Sequence, residues 1–142
     1  DTFGKVEYNG RGDIETYNDR KAAGFVGHYK TTAEAMFHYY VKPQATGNRT
    51  DVRWVSISDT RNRLMVAAKS PFQFSVTPFS DSVIDRATHI NQLSRDGLLT
   101  VHLDANQSGV GTATCGPGVA EKYRVSVKPT SFEFVLYPAM AK

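Results

Sequence analysis

The residues best suited to chemistry sit in Ile14–Arg20, IETYNDR, where Glu15 and Asp19 lie four apart beside Tyr17 and Arg20. Two carboxylates about 5–10 Å apart can work as an acid and a base or nucleophile on a glycosidic bond. The same groups can also be held by ion pairs and backbone hydrogen bonds, the commoner use of such a cluster. His28, His38, His89 and His102 are the candidate metal ligands. No two stand at i, i+4 and no HExxH occurs, so no protein-borne metal centre is expected. Cys115, in TATCGPG, has no charged sequence neighbour to lower its pKa, and no G-x-S-x-G marks a serine nucleophile. Gly109-Val110-Gly111 lacks the Lys-Ser/Thr of a phosphate loop. Tyr17, Tyr29, Phe37, Tyr39, Tyr40 and Trp54 stand beside polar residues. Such rings can stack on the C–H face of a sugar or fill a core.

The elements that must position these groups read mainly as strands. Val41–Ser58 organises the chain. Pro43 makes Val41–Gln44 extended, and Gly47-Asn48 signals a turn. Asp51–Ser58 then alternates, with Val52, Trp54 and Ser56 on one face and Arg53, Val55 and Ile57 on the other. A strand apolar on both faces belongs in the middle of a sheet. Further strands are expected at Phe3–Tyr8, Leu64–Ala68, Phe72–Val76, Leu99–Leu103, Tyr123–Val127 and Phe132–Tyr137, the last two as a hairpin. Phe25–Tyr29 is a short apolar run, and a helical turn is expected around Asp19–Ala23. Thr31 or Thr32 can cap a turn at Ala33–Met36, and Ser80 a helix over Asp81–Ala87. Asp104–Gly118 reads as a long loop of small residues. Many short strands and little helix predict an all-β antiparallel sandwich, one domain over residues 1–142.

Composition narrows the function. Charged residues are 22% of the chain and net charge is +3, without the basic stripe that nucleic-acid binding needs. No apolar run can span a bilayer, and no leader pattern is present. A start at Asp1 fits a processed or excised chain, and one cysteine fits a cytoplasmic or periplasmic bacterial protein.

Four ordered segments carry a resemblance: Val6–Arg20 (VEYNGRGDIETYNDR), Lys42–Trp54 (KPQATGNRTDVRW), Phe72–Ser80 (FQFSVTPFS) and Ser108–Gly118 (SGVGTATCGPG). Together they resemble the small-chain domain, domain 5, of family 2 β-galactosidases, here its C-terminal portion. Asp13 stands where that pattern usually has Pro, and Thr16 where it usually has Asn. The resemblance implies about the second half of a galactose-mutarotase-like supersandwich. It also implies that the catalytic carboxylates, and the Mg and Na of the family, lie on a separate TIM barrel. No cofactor is then expected here, and an isolated chain should be inactive. The glycine-rich loop would wall a galactoside pocket, with Thr114, Cys115 and Gly116 as candidate lining residues. Cys115 stands where the family often has an aromatic. Trp54, Arg53, Glu15 and Tyr17 are candidates for sugar contact or for structure. Expected partners are the barrel, the first half of the small-chain domain, a galactoside and further copies in a homo-oligomer. The alternatives are a stand-alone carbohydrate-binding module built on Trp54 and nearby tyrosines, and a purely structural domain.

Overall fold

The computed structural model describes residues 4–111, 116 and 118–140. Among the described residues six strands form one antiparallel sheet: β1 (Lys5–Arg11), β2 (Val26–Thr32), β3 (Arg49–Ser58), β4 (Asn62–Thr77), β5 (Thr100–Asp104) and β6 (Phe134–Met140). The order is β2-β1-β3-β4-β5, with β6 also paired to β4. Two short helices, α1 (Ala33–Met36) and α2 (Asp81–Arg86), complete the regular structure with two 3₁₀ turns. The fold is thus all-β, antiparallel and sandwich-like with little helix, as the strand pattern predicts.

The core lies on one face of the sheet. Val6, Tyr8, Val52, Val55, Ile57, Val66, Phe72, Phe74 and Val76 are buried there, with Ala33 and Met36 of α1 laid across them. Thr32 caps α1 by accepting a hydrogen bond from the Ala35 amide at 3.1 Å. Ser80 sits at the N-cap of α2 without a side-chain bond to that helix's backbone. A second cluster, Phe37, Phe79 and Ile84, packs beneath α2 with Leu93.

β3 is central, between β1 and β4, but its faces differ from simple alternation. Register shifts flank Val52, and Asp51 takes φ +54°. The extra residue turns Val52 to the core with Val55 and Ile57, leaving Trp54 and Ser56 on the opposite, outer face.

The strands expected at Leu64–Ala68 and Phe72–Val76 are two halves of the sixteen-residue β4. Its first half pairs with β6 from Asn62 to Ala68, and its second with β5 from Gln73 to Thr77. Among the described residues, Lys69, Ser70 and Pro71 have no cross-strand partner, so Pro71, which lacks an N–H, costs the ladder no bond.

Two expectations fail. Tyr123–Val127 is not a strand: a 3₁₀ turn at Glu121–Tyr123 leads into irregular chain, and Val127 is fully exposed. Phe134–Met140 therefore pairs with β4, not with a hairpin partner. Asp19–Ala23 is not helical either, because Tyr17 and Arg20 exchange backbone hydrogen bonds in a tight turn.

Candidate functional site

Residues 15–19 form a polar seam that ties together all four segments singled out in the sequence. Each side chain but one reads a different neighbour. The Glu15 carboxylate accepts from the Gly47 amide at 2.6 Å and meets Arg20 Nη1 at 3.3 Å. Gly47 needs to be glycine twice over: its φ is +82°, and a Cβ there would lie 2.5 Å from the Met36 carbonyl oxygen. Thr16 is fully buried; its Oγ1 accepts from the Thr50 amide at 3.0 Å, and its amide donates to the Asn48 carbonyl at 2.8 Å.

Asn18 points the other way. Its Nδ2 donates to Asn106 Oδ1 at 2.6 Å and to the Gln107 carbonyl at 3.1 Å. Gln73, buried between core residues Phe72 and Phe74, donates to Asn18 and Asn106 at 3.1 Å each. Asn48 closes the seam by donating to Gln73 Oε1 at 2.7 Å and to the Thr16 carbonyl at 2.9 Å. Asp19 then spends both oxygens on the glycine-rich segment, accepting from the Val110 amide at 2.9 Å and the Gly111 amide at 2.7 Å.

Tyr17 is the exception. It is buried, and burial first, then the Glu15 carboxylate, push its hydroxyl well above the usual range, so it stays neutral. Beside the seam, Arg49 is buried with its guanidinium on the carbonyls of Gly47, Asn48 and Asp13 and on the Tyr8 hydroxyl. Asp104, opposite Gln73 in the ladder, has its pKa raised by burial, with His102 opposing.

The remaining candidates fall elsewhere. Trp54 is half-buried on the outer face of β3, its ring edge-on to His28 at 5.2 Å. Arg53 is exposed and donates to the Asp51 carbonyl at 3.3 Å. Gly116 is exposed, and Thr114 and Cys115 lie outside the described residues. Of the other aromatics, Tyr29 stacks on Tyr8, while Phe37 and Tyr39 pack with Phe79.

Two clefts are prominent, and neither includes the seam. One of about 670 Å³ lies between Lys42–Ala45 and α2, with His102 on its wall. His102 Nε2 meets Asp81 Oδ2 at 3.0 Å, and its Nδ1 meets Ser75 Oγ at 3.1 Å. Ser75 is the cross-strand neighbour of His102 and does not line the cleft, so the trio bridges β4, β5 and α2 and presents no nucleophile. The other cleft, about 610 Å³, carries the Glu34–Arg95 pair. Among the described residues no group of three or more His, Cys, Asp or Glu could hold a metal ion, and no helix is long and apolar enough to cross a membrane.

The family model described as "Beta galactosidase small chain" matches residues 1–136. The chain belongs to the β-galactosidase small-chain family. A β-galactosidase of Staphylococcus xylosus is 30% identical over 134 residues, covering 94% of this chain and 14% of that protein. One of Kluyveromyces lactis is 33% identical over 140 residues, 96% of this chain and 13% of its own length. One of Actinobacillus pleuropneumoniae is 30% identical over 131 residues, 92% and 13%. The chain therefore spans about one-seventh of the length of these curated relatives. Relatives of this small-chain family come from a yeast as well as from bacteria.

Seen from the sequence, the seam was half legible. Glu15 and Asp19 stand out as carboxylates, but their targets are backbone amides far along the chain. Asn18, Asn48, Gln73 and Asn106 gave one usable signal: Gln73 interrupts two aromatic core residues, and a buried amide must find partners.

Proposed function

We propose that this chain is the C-terminal small-chain portion of a family 2 β-galactosidase, walling a galactoside pocket and docking the remaining domains. Catalysis falls to residues elsewhere in that polypeptide. The observation that carries this is the use of the two best-placed carboxylates. Glu15 and Asp19 are both committed to backbone amides, Gly47 on one side and Val110 and Gly111 on the other. A nucleophile or acid for glycoside hydrolysis must instead face the scissile bond. In this reading the reaction is hydrolysis of a terminal β-galactoside with retention, its carboxylates and its Mg and Na on a barrel domain. The seam holds Val110 and Gly111, at the start of the glycine-rich segment that this reading assigns to the pocket wall.

The docking surface is β6 and the outer sheet face beside it. Phe134, Val135, Leu136, Tyr137 and Met140 are all exposed. Leu136 stands opposite Val66 on the core face and Tyr137 opposite Met65 on the outer one, so the strand is apolar on both sides. The occupant proposed is the rest of the polypeptide, since relatives are about seven times as long as the matched region. A homo-oligomer of the complete enzyme, cytoplasmic or periplasmic, completes the reading.

The test is hydrolysis of a chromogenic β-galactoside by this chain alone and then with a fragment carrying the remaining domains. Activity only on mixing is expected. Activity from the chain alone would overturn the reading and return Glu15 and Asp19 to candidacy as a catalytic pair. A second reading, a stand-alone sugar-binding module, is favoured by Trp54 lying half-exposed on the outer face of β3. Galactose binding without activity in either arm would support it.

A further inference from the structure

We infer that Asp19 is a positioning residue whose carboxylate sets the path by which the chain enters the glycine-rich loop. The inference rests on the pocket-wall reading above. Its structural ground is separate: two oxygens of one side chain on two successive amides, Val110 at 2.9 Å and Gly111 at 2.7 Å. Ionised acceptors make the stronger hydrogen bonds, and two of them on one segment fix its direction as well as its place. Asp19 is itself fixed from behind. Its neighbour Asn18 is locked to Asn106 and the Gln107 carbonyl, and Tyr17 and Arg20 close the turn that carries both. The stem from Asn106 to Gly111 is therefore gripped at both ends by adjacent residues of one turn.

The glycines on the gripped segment follow from the grip. A Cβ on Gly109 would lie 2.5 Å from both Asp19 Cγ and Oδ1. A Cβ on Gly111 would lie 3.0 Å from Asp19 Oδ2 and 3.1 Å from the Val119 backbone. Gly-Val-Gly, which is not a phosphate loop, is here a seat for a carboxylate. On the pocket-wall reading Asp19 touches no substrate itself and acts through the segment that it holds.

The test uses the complete polypeptide carrying Asp19→Asn. That variant keeps the side chain's size but turns an N–H toward one of the two amides. Hydrogen exchange of the peptide containing Val110 and Gly111 should rise about tenfold, with the β4 core peptide unchanged. No rise overturns the clamp. Coupling provides an independent check: Gly109→Ala should perturb that peptide strongly with Asp19 present and little in an Asp19→Ala background. Equal perturbation in both would remove Asp19 as the reason for the glycine.

The functional arm compares two β-galactosides that differ only in aglycone size. Asp19→Asn should change the ratio of their kcat/KM values roughly tenfold and leave inhibition by free galactose unchanged, because a displaced wall acts on the aglycone side. A uniform loss on both substrates with a lowered Tm would mean a merely structural role and overturn the inference. Gly116→Val serves as the control for the reading beneath it. If Gly116→Val shifts the ratio and Asp19→Asn does not, positioning falls and the pocket wall stands. If neither shifts it while exchange still rises, the pocket wall falls and positioning falls with it.

Discussion

Asp51 sits where a strand residue should not, in left-handed backbone at φ +54°. Aspartate tolerates this region better than most residues, at a cost on the order of 1–3 kcal/mol when the surroundings hold it there. Here Arg11 Nε lies 2.5 Å from Oδ2, and Lys21 Nζ lies 3.0 Å from Oδ1. Burial alone would raise the pKa of this carboxyl, but hydrogen bonds from Arg11 and Lys21 outweigh it and bring the pKa below 3.8. The folded protein therefore holds the Asp51 proton less tightly than the unfolded chain. The stability this contributes is fully present above 3.8 and is lost as pH falls through that value and then through the lowered one. Asp51→Asn should thus cost stability near pH 7 and little near pH 2. Urea midpoints for both proteins at the two pH values measure it, and a difference independent of pH would contradict it. The seam offers a second case. Asn48→Ala would strand Gln73 Oε1 and the Thr16 carbonyl in the interior, at about 2–3 kcal/mol, measured by equilibrium unfolding. The sequence marks Asp51 only as a charge beside Trp54. Its bulge depends on partners thirty and forty residues away, which no local pattern encodes.

At the scale of elements, legibility followed the strength of the local signal. β1, β3, β4, β5 and α1 stand near where alternation and capping put them. The short run at Phe25–Tyr29 extends to β2 at Thr32 because β1 offers a full edge, from Lys5 opposite Thr32 to Arg11 opposite Val26. Tyr123–Val127 alternates equally well yet pairs with nothing among the described residues, although β6 is paired on one side only. Alternation states what a strand would bury, and only pairing decides whether it forms. The Phe72–Val76 pattern, by contrast, has both its neighbours and its core. Phe74 is fully buried, edge-on to Tyr8 at 5.2 Å and opposite Leu103. Phe74→Ala should cost about 3–5 kcal/mol and lower the urea midpoint without changing the slope. A loss under 1 kcal/mol would mean that the sheet and α1 close over the gap, contrary to a core packed from both sides.

For the whole molecule, the distribution of apolar surface points beyond the chain. Most of the core is on one face, yet β6 is apolar and exposed along its length, at 48% for Leu136 and 53% for Tyr137. On the outer face Trp54, Ala67 and Val135 stand in one cross-strand row, with Met65 and Tyr137 in the next. Large contiguous apolar patches on a folded surface mark interaction sites, and an edge strand bare of charge invites pairing. Within these seven residues there is no charge. The sequence shows β6 as a strand but not as an uncovered one, because exposure depends on what the rest of the fold supplies. Replacing Leu136 by Lys and Tyr137 by Glu puts one charge on each side of β6. The isolated chain should then remain folded by circular dichroism and sediment as a monomer at concentrations where the parent chain associates. The same double variant should lose at least about tenfold in affinity for the fragment carrying the remaining domains, since two centrally placed apolar contacts become buried charges. Undiminished affinity with improved solubility would mean that β6 is a bare edge and no docking surface, and the outer face that it shares with Trp54 would lose its claim as well.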